Sequence, residues 1–426
     1  MEYKIIENKQ LNEKAYLYTD KSGLDVYVIP KPGHSKTYAI YATKYGSIDS
    51  SFKNHSDNDF IDVPDGIAHF LEHKLFEKPY GDIFNKYAEL GASANAYTSF
   101  NHTAYLFSCT DNFEKSLDVL MELVGEPYFT AETVEKEQGI IGQEINMGLD
   151  SPGRQLLYGL LKSLYFDHPV SREIAGSIES IALITHDLLY QCYDMFYNPK
   201  NMMLCIAGDV DPDAVFEQVS KNVRKHEAYT VDRGYKPDRD GVVKNHEEKA
   251  MAVSQPLFYI GYKDMQTDLK GKDRAKKMLE TDILIELLTG EGSALFGTLY
   301  GDGLINSSFG YEYYGGYTFG ITLIGGESKD PARVKTVFID AVERIKLSGV
   351  ERADYERAKK VVYGRYVRRF EDVERIVDNF ADAWASDISI FDSMDAFNDI
   401  TLDSVTKRLF EHFDYENMAL STVIPV

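Results

Sequence analysis

Cysteine, tryptophan and long apolar runs are scarce in this chain, and each scarcity excludes something. Of 426 residues, 3 are cysteine and 1 is tryptophan. Cys109, Cys192 and Cys205 are too few to frame a chain of this length with disulfides. Cys205 falls in the apolar stretch 202–207 and reads as a buried thiol. No stretch approaches the ~20 continuous apolar residues of a membrane span. The opening MEYKIIENKQLNEKAYLY lacks the apolar core of a signal peptide, so a cytoplasmic protein is expected. Positive charge is short too: 46 Lys+Arg face 68 Asp+Glu, a net charge of -22. Nucleic acid and anionic membrane surfaces are therefore poor partners, because both need clustered Lys and Arg.

What is present describes an ordinary folded protein, 44% hydrophobic and 27% charged. At about 150 residues per domain the length allows two or three domains. Residues 26–30 and 37–42 are β-branched and aromatic, with Pro32-Gly33 between them, and predict two strands. Helical periodicity covers 66–76, 82–90 (closed by Gly91), 112–124, 131–149 and 154–164, with strand character at 92–109. The charged segment 225–249 reads as a linker. Beyond it come a strand at 257–262, a helix at 273–288, strands within 309–324, and helices at 331–347 and 353–370.

The order repeats, and so do some letters. Ile184-Thr185-His186-Asp187 returns as Ile400-Thr401-Leu402-Asp403, and Asn201-Met202-Met203-Leu204 as Asn417-Met418-Ala419-Leu420, both 216 residues later. One offset shared by two matches predicts an internal duplication. The expected domains are 1–224, the linker 225–249, and 250–426.

The chemistry concentrates in His69-Phe70-Leu71-Glu72-His73. On a helix, His69 and His73 project from one face a single turn apart and can share a Zn²⁺ at about 2.0–2.1 Å. Glu72 stands beside them, placed to take a proton from a water that the metal acidifies. Apolar Ile67, Ala68, Phe70, Leu71, Leu75 and Phe76 surround the motif, and burying its polar groups without a metal would cost several kcal/mol. A third ligand is sought in the helix at 131–149, which carries Glu132, Glu135, Glu137 and Glu144. Glu137 and Glu144 lie two turns apart on one face. Glu144, between Ile140-Ile141 and Ile145, is expected in an apolar setting as the ligand, Glu137 orients a ligand, and Glu135 faces solvent.

HFLEH at 69–73 with ExxxxxxE at 137–144 resembles the insulinase/pitrilysin family of zinc peptidases. The likeness is to its half-size bacterial branch, similar to the mitochondrial processing peptidase β subunit. It runs through Gly91, Asn95-Ala96-Tyr97-Thr98, Thr103-Ala104-Tyr105, Asp150-Ser151-Pro152, His168-Pro169, Gly176 and Asn201-Met202 to Gly208-Asp209. The resemblance implies an α+β fold of two homologous α/β sandwich-like domains enclosing a cavity. It implies one zinc per chain on His69, His73 and Glu144, with Glu72 as general base and Glu137 in support. It further implies that a peptide substrate pairs with the strand of Asn95, Ala96 and Tyr97. His102 reads as structural.

The second half departs from the pattern. Positions 285 and 289, the counterparts of His69 and His73, are Ile and Thr. Family members also carry an Arg–Tyr pair there, and this chain has Tyr300 and Asn306 at those places. The expected partner is a homologous subunit: a heterodimer with a paralogue that lacks HxxEH and supplies the pair, or a homodimer. The expected activity is zinc-dependent endopeptidase action on short or unfolded peptides. A non-proteolytic scaffold or binding subunit of a heteromeric processing complex is the alternative.

Overall fold

The computed structural model describes residues 2–224, 230–236 and 238–426. In chain order the main strands are β1 (Lys4–Asn8), β2 (Glu13–Thr19), β3 (Asp25–Pro30), β4 (Thr37–Thr43), β5 (Ser93–Thr98), β6 (Thr103–Cys109), β7 (Met202–Gly208), β8 (His246–Met251), β9 (Leu257–Lys263), β10 (Gly310–Gly315), β11 (Gly320–Glu327) and β12 (Met418–Pro425). The helices that matter here are α1 (Ile67–Leu75), α2 (Phe113–Gly125), α3 (Ala131–Leu149), α4 (Pro152–Leu164), α5 (His186–Phe196), α6 (Gly271–Thr289), α7 (Arg352–Arg368), α8 (Val373–Ala385) and α9 (Leu402–His412).

The chain divides into two compact units. The first is Met1–Ile145, Glu173–Tyr235 and Arg369–Ala385; the second is Asn146–Arg172, Lys236–Arg368 and Ser386–Val426. A seven-stranded sheet in the order β1-β2-β3-β7-β4-β6-β5 organises the first unit. Only β3 and β7 run parallel in it. Its central strands β4 and β7 are buried along their whole length, as an unbroken apolar run demands. Strand β5 is an edge.

A five-stranded sheet in the order β8-β12-β9-β11-β10 organises the second unit, with only β8 and β12 parallel. This repeats β3-β7-β4-β6-β5 strand for strand. The duplication reaches the helix caps: Thr185 accepts from the Leu188 amide at the start of α5, and Thr401 from the Ser404 amide at the start of α9. The chain is thus a two-domain α+β protein.

The division of the chain differs from the contiguous one expected at 224 and 250. Helix α8 belongs with the first unit and packs on β4 and β7 through Val373, Ile376, Val377, Phe380 and Ala381. Helix α4 belongs with the second and packs on β9 and β12. There Leu160 comes so close to Gly261 that a Cβ on the glycine would lie 2.6 Å from its Cδ2. Each sheet needs an amphipathic helix over its apolar face, and neither face is served solely by the half of the sequence that supplies its strands. The segment read as a linker also holds structure. Val231–Arg233 pairs with Ser51–Asn54, and His246–Met251 is β8. Residues 225–229 and 237 of that segment lie outside the described residues. Among the described residues no helix is long and apolar enough to cross a membrane.

Candidate metal centre

Helix α1 starts at Gly66, whose φ of 93° lies in the left-handed region. A Cβ there would also sit 2.6 Å from the Ala175 carbonyl oxygen, so glycine is required on two counts. The apolar residues of the motif are buried as expected: Ile67, Ala68, Phe70, Leu71 and Leu75 join the core of the first unit. Lys74 is also fully buried, paired with Glu77 and donating to the Thr133 carbonyl at 3.3 Å. That contact ties α1 to the beginning of α3 and was not legible in the sequence.

Three donor atoms, one each from His69, His73 and Glu144, lie within 4.8 Å of one another. His69 Nε2 is 3.6 Å from Glu144 Oε1, and His73 Nε2 is 3.7 Å from Glu144 Oε2. Two imidazoles and a carboxylate are the donor chemistry zinc takes, and donors of a tetrahedral ion held at about 2.0–2.2 Å stand roughly 3.3–3.6 Å apart, close to the two His–Glu distances and narrower than the 4.8 Å spread of the three atoms. Glu137 Oε1 is 3.0 Å from His73 Nδ1, which turns Nε2 toward the other donors. Burial alone would lower the pKa of His73, yet the hydrogen bond and charge of Glu137, with Glu72 and Glu144, carry it above its usual value.

Glu72 is 7% exposed, and burial raises the pKa of its carboxyl. The hydrogen bond from Thr98 and the charge of His73 pull the other way. Thr98 Oγ1 donates to Glu72 Oε2 at 2.7 Å. Thr98 carries no signal in the sequence for a part in the site, because a contact between strand and helix has no local signature.

Glu135 faces solvent, as expected. The apolar setting expected for Glu144 does not hold. Its side chain is 41% exposed and neighbouring Ile140 is 47% exposed, because α3 buries its Ile141 and Ile145 side and Glu144 stands off that side. Asn95, Ala96 and Tyr97 lie on edge strand β5. His102 is buried in the β5–β6 turn with Ser99 Oγ and Asn101 Oδ1 each 2.9 Å from Nδ1, and burial lowers its pKa to about 4. In the second unit Tyr300 is exposed and stacked on Phe296, while Asn306 donates to Glu327 at 2.7 Å. Ile285 and Thr289 are buried in α6.

Comparison with known proteins agrees with this picture. Residues 60–177 match the model of the insulinase family (peptidase family M16), and residues 183–362 match that of the peptidase M16 inactive domain. An uncharacterized zinc protease of Bacillus subtilis, YmfH, is 42% identical over 430 residues, 99% of this chain and 99% of its own length. Another from the same organism, YmxG, is 26% identical across 72% of this chain and 75% of its own. The crystal structure of an M16-like peptidase from Alicyclobacillus acidocaldarius aligns with a TM-score of 0.94 at 34% identity, covering 99% of this chain and 100% of that one. Pitrilysin aligns with a TM-score of 0.77 at 16% identity, covering 99% of this chain and 46% of its own, a likeness of fold alone. Fold and matches define the class, a duplicated α+β peptidase fold. The chain belongs to the insulinase family, peptidase family M16.

Proposed function

We propose that this chain is a zinc-dependent endopeptidase acting on short or unfolded peptides, with one zinc held by His69, His73 and Glu144 of the first unit. The convergence of those three donor atoms within 4.8 Å carries the reading. The zinc, when bound, polarises the scissile carbonyl and acidifies a water. Glu72 takes the proton of the attacking water and returns it to the leaving amine. Glu137 holds His73 in the ring orientation that leaves Nε2 for the metal. A peptide would add to edge strand β5 alongside Asn95, Ala96 and Tyr97 by main-chain hydrogen bonds. Such pairing requires a free extended backbone, which short or unfolded peptides offer along their length and folded proteins only at sheet edges.

Tyr300 and Asn306, where relatives are expected to carry Arg and Tyr, support a further step. A homologous subunit lacking the HxxEH motif supplies that pair. The test uses the purified chain, alone and with such a subunit. The chain should hold about one zinc, and Glu144→Gln should lose it. Glu72→Gln should keep the zinc while cleavage of a quenched peptide library falls about 10²- to 10⁴-fold. A zinc-free wild-type chain, or Glu72→Gln cleaving at the wild-type rate, would overturn the assignment.

A further inference from the structure

The carboxylate of Glu72 has two oxygens, and one of them, Oε2, is held by a hydrogen bond. Oε2 accepts the Thr98 hydroxyl at 2.7 Å from a strand that lies next to α1. A glutamate has three rotatable bonds, and its neighbour His73 is held by a separate group, Glu137. The Thr98 contact is therefore what fixes the carboxylate plane of Glu72 and decides where Oε1 points.

The anchor itself is well held. Thr98 is the last residue of β5 and pairs with Thr103 of β6. Thr103 is fully buried, and its hydroxyl donates to the Tyr45 carbonyl at 2.8 Å while standing 3.3 Å from Thr98 Oγ1. A hydroxyl has one proton to give. That of Thr103 goes to Tyr45 at the shorter distance, and that of Thr98 goes to the carboxylate, the stronger acceptor. The turn beyond is stapled by Ser99, whose amide and hydroxyl both bond to the His102 carbonyl, at 2.8 and 2.9 Å. The Ser47 and Ile48 amides donate to the Ser99 and Phe100 carbonyls, each at 3.0 Å. Gly46 permits that approach, since a Cβ there would lie 2.3 Å from the Phe100 oxygen. Threonine is also branched at Cβ, so its hydroxyl has few directions open to it.

We infer that Thr98 is a positioning residue, whose hydroxyl holds Glu72 by one carboxylate oxygen so that the other faces the attacking water. This rests on the peptidase reading above and deepens it. Thr98 lies at the end of the strand on which the peptide is proposed to pair. One element then sets both the register of the substrate and the aim of the base.

The experiment compares wild type, Thr98→Val, Thr98→Ser, Glu72→Gln and the double variant Thr98→Val/Glu72→Gln, each as the full chain with the homologous subunit present. Valine keeps the shape and removes the proton; serine keeps the proton. Zinc content should be unchanged in all five. A misaimed base costs up to about 10²-fold, so kcat of Thr98→Val should fall about 10- to 100-fold with KM within about twofold. Thr98→Ser should recover most of the loss, and Thr98→Val should cost nothing further on top of Glu72→Gln. Crystal structures of the metal-free chains give a readout independent of turnover: one Glu72 conformer in wild type, and more than one in Thr98→Val. A Thr98→Val chain with wild-type kcat and a single Glu72 conformer would overturn this role for Thr98 and leave the peptidase reading standing. So would serine as poor as valine, or a further loss in the double variant. A wild-type chain that takes up no zinc overturns both.

Discussion

Among the described residues, three buried histidines lie outside the candidate metal centre, and each makes a statement about pH. Burial lowers the pKa of His102 and His168 to about 4 and that of His412 to about 3. In the unfolded chain each titrates near 6.5. The folded state therefore holds them neutral where the unfolded state binds protons, and acid favours unfolding. Their contribution is fully present above about pH 6.5 and is lost as pH falls toward 4 for His102 and His168 and toward 3 for His412, at most about 3–5 kcal/mol for each. Urea midpoints should drop steeply between pH 7 and pH 4.5, and His102→Asn should flatten the slope by about one proton. An unchanged slope would show that His102 is not held neutral. At this scale the sequence was legible where chemistry imposes spacing. HxxEH and ExxxxxxE fixed which side chains share a helix face, and the fold brings them together. Thr98 and Lys74 were not legible, because their partners Glu72 and Thr133 lie on other elements 26 and 59 residues away.

Elements were legible to the degree that their pattern is local. Helix α3 has the predicted bounds 131–149, and Gly91 closes its helix in the left-handed conformation expected. Strands β1 (KIIEN) and β2 (EKAYLYT) have little local signal because charged residues interrupt their apolar positions, and they lie at the far side of the sheet from β5. Helix α8 is strongly two-faced, but nothing in its letters says which sheet it will cover. It joins the first unit through Tyr38 Oη donating to Asp378 at 3.1 Å, Tyr27 against Phe380 at 5.8 Å, and Lys44 over the Trp384 ring at 4.8 Å. Trp384 is the sole tryptophan, so its fluorescence follows this helix. Truncating a buried phenylalanine costs about 3–5 kcal/mol. Phe380→Ala should accordingly lower the urea midpoint read from tryptophan emission. An unmoved midpoint would mean that α8 contributes little to the first unit.

For the whole molecule, the duplication was visible in two short repeats, whereas the exchange of α4 and α8 between the units was not. Repeats report common descent of the strands and helices; they carry no record of which apolar face each helix finally covers. The exchange has a direct test. Residues 1–224 expressed alone lack α8, leaving the faces of β4 and β7 that it covers open to water. That fragment should aggregate or elute with associated material on size exclusion, and adding α8 as a peptide should reduce this. A monomeric, well-folded fragment would count against the exchange.

The position of α8 in the chain also governs events on the ribosome. The first unit has its strands once residue 235 has been made, but its last helix ends at residue 385. At about 5–20 residues per second, translation of the intervening ~150 residues takes roughly 8–30 s. For that interval the nascent half must keep an uncovered sheet face from sticking to its neighbours.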